Sequence, residues 1–120
     1  MKKALIIDDE KRTRELIAKM IDSYGFDIVT YPIGENVQSG IDAIEELHPD
    51  IVFLDIQMPD GTGFDVLRST DYKNFEVVFI TAHEEFAIKA IKFSALDYLL
   101  KPIDPSELKS SVEKAIKAIN

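Results

Sequence analysis

Short runs of apolar residues alternate with longer amphipathic stretches along the chain. Ala4–Ile7, Ile51–Leu54 and Val77–Ile80 are too short and too uniformly apolar to be strands with one wet face. Such runs are strands covered on both faces of a parallel sheet. Asp27–Tyr31, closed by Pro32 and Gly34, and Tyr98–Leu100, closed by Lys101-Pro102, add two more strands. Between them the period changes to that of a helix. Leu16, Ile17, Met20, Ile21 and Tyr24 share one face of a first helix, which Gly25 ends. Val37, Ile41, Ile44 and Leu47 mark a second helix, stopped by His48-Pro49. A short third helix carries Phe64, Val66 and Leu67. A fourth, Phe86–Phe93, has apolar residues nearly all round it, so one apolar face is expected to be exposed. Asp104-Pro105-Ser106-Glu107 starts the last helix, with Asp104 as cap and Pro105 in the first turn. Leu108, Val112, Ala115, Ile116 and Ile119 are its expected buried stripe.

The order is strand then helix, five times. Right-handed crossovers make that an α/β fold, a doubly wound five-stranded parallel sheet with helices on both faces. No repeat, linker or second core interrupts the pattern, so residues 1–120 are expected to form one domain.

Composition narrows the partners. Apolar residues make up 46% and charged residues 30% of the 120, and the formal net charge is −8. An acidic surface argues against direct nucleic-acid binding, which needs Lys and Arg on phosphates, and against an anionic membrane. There is no cysteine, so neither a disulfide framework nor a thiolate metal site exists. Met1-Lys2-Lys3 and the run after it faintly mimic a leader, but Asp8 cuts the run short. A cytoplasmic location is expected.

Candidate chemistry lies where the strands end, because ligands of open α/β sheets bind at the carboxyl edge. Asp8 and Asp9 follow the first strand, Asp55 the third, Thr81 the fourth and Lys101 the fifth. Asp8-Asp9-Glu10 alone also fits a solvated helix start, where negative charge is favoured. Asp55, arriving from an independent strand, tips the balance. Two carboxylates about 4 Å apart repel by roughly 4 kcal/mol at an effective dielectric of about 20. A cation relieves that cost, and an all-oxygen set without His or Cys suits Mg²⁺ or Mn²⁺. With Lys101 and the Thr81 hydroxyl, the set suits a transferable phosphoryl group that Asp55 attacks.

Ile6-Ile7-Asp8-Asp9-Glu10, Leu54-Asp55-Ile56-Gln57-Met58-Pro59-Asp60-Gly61-Thr62-Gly63, Ile80-Thr81-Ala82 and Tyr98-Leu99-Leu100-Lys101-Pro102 together resemble the receiver domain of two-component response regulators. The resemblance covers essentially the whole chain. It implies a flavodoxin-like (βα)5 fold with strand order 2-1-3-4-5. It also implies that Asp55 accepts a phosphoryl group from a sensor histidine kinase. Mg²⁺ would be held by Asp9, Asp55 and the Gln57 carbonyl, with Asp8 assisting through water. Thr81, Ala82 and Lys101 would bind the phosphoryl group, and the Lys101-Pro102 peptide would be cis. Tyr98 would be a switch aromatic that follows Thr81, or else an ordinary half-buried strand tyrosine. Gln57 and His83 would tune the slow loss of the phosphoryl group to water. His83 would hydrogen-bond or shield that group, or be a plain loop histidine.

The same resemblance implies a non-enzymatic switch, in which the surface of the fourth helix, fifth strand and fifth helix changes. That surface, with Lys89, Lys92, Phe93 and Lys109, would control homodimerisation or an output domain. His83–Ile103 further resembles receivers attached to LytTR-type DNA-binding domains, so the output would be transcriptional and lie outside this chain. Two rivals stand beside this reading. A Mg²⁺-dependent phosphohydrolase would space its first acids two residues apart, whereas Asp8 and Asp9 are adjacent. A receiver-fold module acting without phosphorylation would tolerate loss of Asp8, Asp9, Asp55, Thr81 or Lys101, and none is lost.

Overall fold

The apolar runs become a single parallel sheet. The computed structural model describes residues 1–120, with β1 at Lys2–Ile7, β2 at Ile28–Gly34, β3 at Ile51–Leu54, β4 at Glu76–Thr81 and β5 at Asp97–Leu100. The strands lie in the order 2-1-3-4-5, all parallel. The helices are α1 (Lys11–Ser23), α2 (Val37–Leu47), α3 (Gly63–Ser69), α4 (Ala87–Lys92) and α5 (Pro105–Ile119). The flavodoxin-like (βα)5 architecture is the expected one.

Strand alternation explains why the runs carry no polar face. Ala4, Ile6, Ile51, Phe53, Val78 and Ile80 point to the layer formed by α1 and α5. Leu5, Ile7, Val52, Leu54, Val77 and Phe79 point to the layer formed by α2, α3 and α4. With a helix layer on each side, both residue sets must be apolar. No helix is long and apolar enough to cross a membrane.

The structure departs from the expected pattern in five places. β2 does not stop at Tyr31 but runs through Pro32 to Gly34. It is an edge strand, and a missing N–H on an open edge leaves no neighbour unpaired. The ladder between β1 and β2 shifts register between Leu5 and Ile7. Gly34 fills that irregularity because a Cβ there would lie 2.6 Å from Cγ1 of Ile7.

In α1 the buried stripe is Arg14, Ile17, Ala18 and Ile21. Leu16, expected in the core, is 52% exposed. The stripe follows the spacing 14-17-18-21, and a guanidinium occupies its first position. In α5 the side chain of Asp104 accepts from the N–H groups of Ser106 and Glu107, as expected, and Ser111 joins the buried stripe. A small antiparallel ladder, Gln57–Met58 with Gly61–Thr62, tightens the connection from β3 to α3. The Lys101-Pro102 peptide is cis.

Candidate functional site

β1 and β3 are neighbours, so their ends place Asp8 and Asp55 side by side. The Asp55 N–H donates to the Ile7 carbonyl at 3.0 Å, one step beyond the strand. Both carboxylates are almost sealed, with Asp8 1% and Asp55 7% exposed. The ammonium of Lys101, brought by β5, donates to Asp8 Oδ2 at 2.8 Å and to Asp55 Oδ2 at 3.0 Å. One cation therefore bridges two buried anions. Backbone N–H groups take the other oxygens, Glu10 on Asp8 Oδ1 at 2.9 Å and Ile56 on Asp55 Oδ1 at 2.7 Å. Gly63 lets the following turn close on this corner, since a Cβ there would sit 2.5 Å from the Asp55 carbonyl oxygen.

Burial pushes the Asp8 carboxyl above its ordinary range. The Lys101 ammonium and the Glu10 N–H oppose that rise, and the Asp55 charge adds to it. Burial acts on Lys101 in the opposite sense, but its two carboxylate partners outweigh it and hold the ammonium's pKa above the usual lysine value. The pair is thus locked electrostatically while still carrying surplus negative charge.

Asp9 supplies the rest of that surplus. Its carboxylate is exposed, accepts no hydrogen bond, and lies with those of Asp8 and Glu10 in a cluster whose oxygens fall within 4.8 Å of one another. Glu10 rather than Asp55 completes this tightest cluster, and Asp55 is linked to it through Lys101. The Lys101 ammonium is shared by Asp8 and Asp55, and Asp9 beside Asp8 has no cation. An oxygen-only set with excess negative charge and one unpartnered carboxylate fits a hard divalent cation.

The remaining predicted residues sit around this corner. Thr81 is buried at the end of β4, and its hydroxyl accepts from the His83 N–H at 3.4 Å. The Lys101 N–H donates to the Thr81 carbonyl at 2.9 Å, tying the two strand ends together. Ala82 and Gln57 are exposed at the rim, with the Gln57 backbone held in the small ladder. His83 is partly exposed, and its Nδ1 lies 3.6 Å from Glu85 Oε1. Tyr98 is half-buried against Phe79, and its hydroxyl donates to the His83 carbonyl. Burial raises its phenol pKa.

Two contributing residues escaped the sequence reading. Arg14 reaches the Asp8 carbonyl from α1. Its signal was present, since it stands three residues before Ile17 on the buried stripe. Asp60 accepts from the N–H groups of Val37 at 2.7 Å and Gln38 at 3.1 Å, tying the loop after β3 to the start of α2. Those N–H bonds, the Val37 one first, hold its carboxyl below the usual range. Nothing local in the sequence announces a contact between a loop and a helix start so far apart along the chain.

Known proteins share the sequence pattern and the fold. An uncharacterized response regulatory protein of Vibrio parahaemolyticus is 43% identical over 118 residues, covering 98% of this chain and 48% of that protein. The transcriptional regulatory protein BtsR of Escherichia coli strain K12 is 40% identical over 115 residues, covering 95% of this chain and 48% of that protein. The chain thus spans about half the length of the curated relatives it matches. The crystal structure of the Thermotoga maritima response regulator TrrA, in complex with Mg²⁺ and BeF, superimposes with a TM-score of 0.81 at 29% identity, covering 96% of this chain and 99% of that one. The profile described as response regulator receiver domain matches residues 4–113, and the chain belongs to that family.

Proposed function

We propose that this domain is a Mg²⁺-dependent phosphoacceptor switch, charged by a sensor histidine kinase at Asp55. The observation that carries the reading is the Lys101 ammonium bridging the buried carboxylates of Asp8 and Asp55. A structural salt bridge needs one partner, whereas a cation shared between two sealed anions at a strand edge is suited to meet a further anion.

In the transfer an Asp55 oxygen forms a new O–P bond as the N–P bond of the donor phosphohistidine breaks. The imidazole leaves and takes up a proton from water. Lys101 exchanges a carboxylate partner for a phosphoryl oxygen, and the Thr81 hydroxyl and Ala82 N–H donate to others. Asp8, Asp9, Asp55 and the Gln57 carbonyl would hold Mg²⁺ or Mn²⁺, which neutralises phosphoryl charge when bound. Gln57 and His83 stand at the rim and set water's access to the acyl phosphate, so the same site slowly dephosphorylates itself.

The new group adds roughly −1.5 to −2 charge. Drawing the Thr81 hydroxyl toward it takes that oxygen from the His83 N–H. Tyr98, already joined to the His83 carbonyl, follows the loop and carries the change to α4, β5 and α5. The exposed Ile88 and Ile91 with Lys92 form part of that surface, which would bind a second copy or an output domain. A DNA-binding output domain is supported by the transcriptional relative and by the fraction of relatives' length outside this chain. Its LytTR type rests on the stretch His83–Ile103 alone.

Intact mass after incubation with acetyl phosphate and Mg²⁺ tests the reading. The expected result is a gain of one phosphoryl mass, absent in Asp55→Asn and absent with chelator. No gain, together with no binding of Mg²⁺ and beryllofluoride, would move the assignment to a module that acts without phosphorylation.

A further inference from the structure

We propose that Arg14 is a positioning residue for the divalent-cation site, fixing the peptide unit between Asp8 and Asp9 and so aiming the Asp9 carboxylate. The inference rests on the metal reading above.

Arg14 is 8% exposed and stands on the buried stripe of α1. A guanidinium stays charged, and sealing it away from water is costly without partners. It forms no ion pair. Its partners are two backbone carbonyls at the sheet edge. Nη1 donates to the Asp8 oxygen at 2.7 Å and Nε to the Pro32 oxygen at 3.2 Å. One planar fork thus spans the ends of β1 and β2.

Asp8 is also held from its other side. Its N–H donates to the Gly34 carbonyl at 2.8 Å. The main chain of Asp8 is therefore tied at both ends, to Gly34 by its N–H and to Arg14 by its carbonyl. The carbonyl belongs to the peptide that leads into Asp9, so Arg14 sets the plane from which Asp9 departs. This matters because the two acids are anchored differently. The Asp8 carboxylate has the Lys101 ammonium and the Glu10 N–H. The Asp9 carboxylate accepts no hydrogen bond, and the main chain alone directs it. Groups behind a metal ligand that fix its orientation typically matter by about 10- to 100-fold in affinity. A lysine at position 14 keeps the charge but loses the rigid planar fork that fixes the two carbonyls relative to each other, because its ammonium is a compact group on a flexible stem.

Mn²⁺ titration of the 120-residue chain by calorimetry, on wild type, Arg14→Lys and Asp9→Asn, is the test. Melting of each variant in chelator reports the fold separately. The expected result is binding by wild type, loss in Asp9→Asn, and affinity about 10-fold weaker in Arg14→Lys, whose chelated form still melts cooperatively. Equal affinity in wild type and Arg14→Lys overturns the inference and leaves the metal reading standing. No binding by wild type overturns the metal reading and the inference with it.

If Arg14→Lys does not fold, the wild type decides by ¹⁵N NMR. The Arg14 Nε–H and Asp9 amide resonances are expected to shift together on Mg²⁺ titration, with one dissociation constant. An Asp9 shift without an Arg14 shift overturns the inference.

Discussion

α4 and α5 flank the same strand, β5, yet they are attached to the sheet in different ways. α5 is fifteen residues long, capped by Asp104, and buries Leu108, Ser111, Val112 and Ala115. It is also pinned to β5, because Asp97 accepts from the Ser111 hydroxyl and from the Lys114 ammonium. α4 has six residues, no side-chain cap, and one fully buried residue, Ala90. Its Ile88 and Ile91 are each 73% exposed. What holds α4 lies largely at its edges. Lys89 rests over the Phe64 ring, and Tyr98 bonds the loop before it through the His83 carbonyl. An element with little buried area and few fixed bonds opens and shifts at small cost. The difference teaches that the sheet edge near the site has one fixed wall and one movable wall, and Tyr98 links the movable one to the strand.

The largest expected effect comes from breaking the fixed wall. Leu108→Ala removes a fully buried side chain and should cost about 3 kcal/mol, lowering the melting temperature by roughly 10–20 °C. Ala90→Gly on α4 should cost about 1 kcal/mol, chiefly through helix propensity. Equal losses in the two melting curves would erase the contrast.

A second test cuts the polar pin of α5. Burial alone would raise the Asp97 pKa, but the Ser111 hydroxyl, the Tyr98 N–H and Lys114 reverse that and hold it below the usual range. A carboxyl with a depressed folded pKa contributes stability that is complete above the unfolded value of about 3.9. That contribution is lost as pH falls through the folded value. Asp97→Ala should cost about 1–2 kcal/mol at neutral pH, and its urea midpoint should fall less than that of wild type as pH drops below about 4. Parallel pH curves for the two proteins would remove Asp97 from the account.

Tyr98→Phe probes the movable wall. Removing its hydroxyl frees the His83 carbonyl and should cost about 1 kcal/mol. Amide exchange in Ala87–Lys92 should speed up, with that in Pro105–Ile119 unchanged. Unchanged exchange in α4 would mean that Tyr98 does not couple the loop to the strand.

The smallest effect is expected at the exposed apolar pair. Ile88→Ser and Ile91→Ser should each change stability by less than about 0.5 kcal/mol, while reducing any self-association measured by sedimentation after beryllofluoride treatment. A large loss of stability would show that these side chains already support the fold.

Much of this was legible in the chain. The apolar runs named the three inner strands to within two residues, because a strand covered on both faces leaves no polar position to blur its limits, and β5 was placed to within one. β2 was cut short, since Pro32 reads as a terminator unless the strand is known to be an edge. Asp8, Asp55, Thr81 and Lys101 could be placed at one sheet edge, because each is the residue that follows an apolar run. α1 was placed correctly, and Ile17, Met20, Ile21 and Tyr24 of its expected face do pack on the core, whereas Leu16 does not. Arg14 was not singled out, and only the nearby carbonyls of Asp8 and Pro32 make a buried guanidinium stable there.

The sequence by itself determined the alternation, the two-faced sheet and the identities at the strand ends, for these depend on local period and burial. Tertiary structure alone decided how those ends meet. The Lys101 ammonium bridges Asp8 and Asp55, Glu10 rather than Asp55 joins the tight acidic cluster, Asp60 ties the loop after β3 to the start of α2, and Tyr98 reaches His83. Each of these is a hydrogen bond or charge contact between residues distant in the chain or set by the path of a turn. Periodicity specifies the face on which a residue lies, but the direction of a polar side chain is set by the donors and acceptors that folding brings within about 3 Å of it.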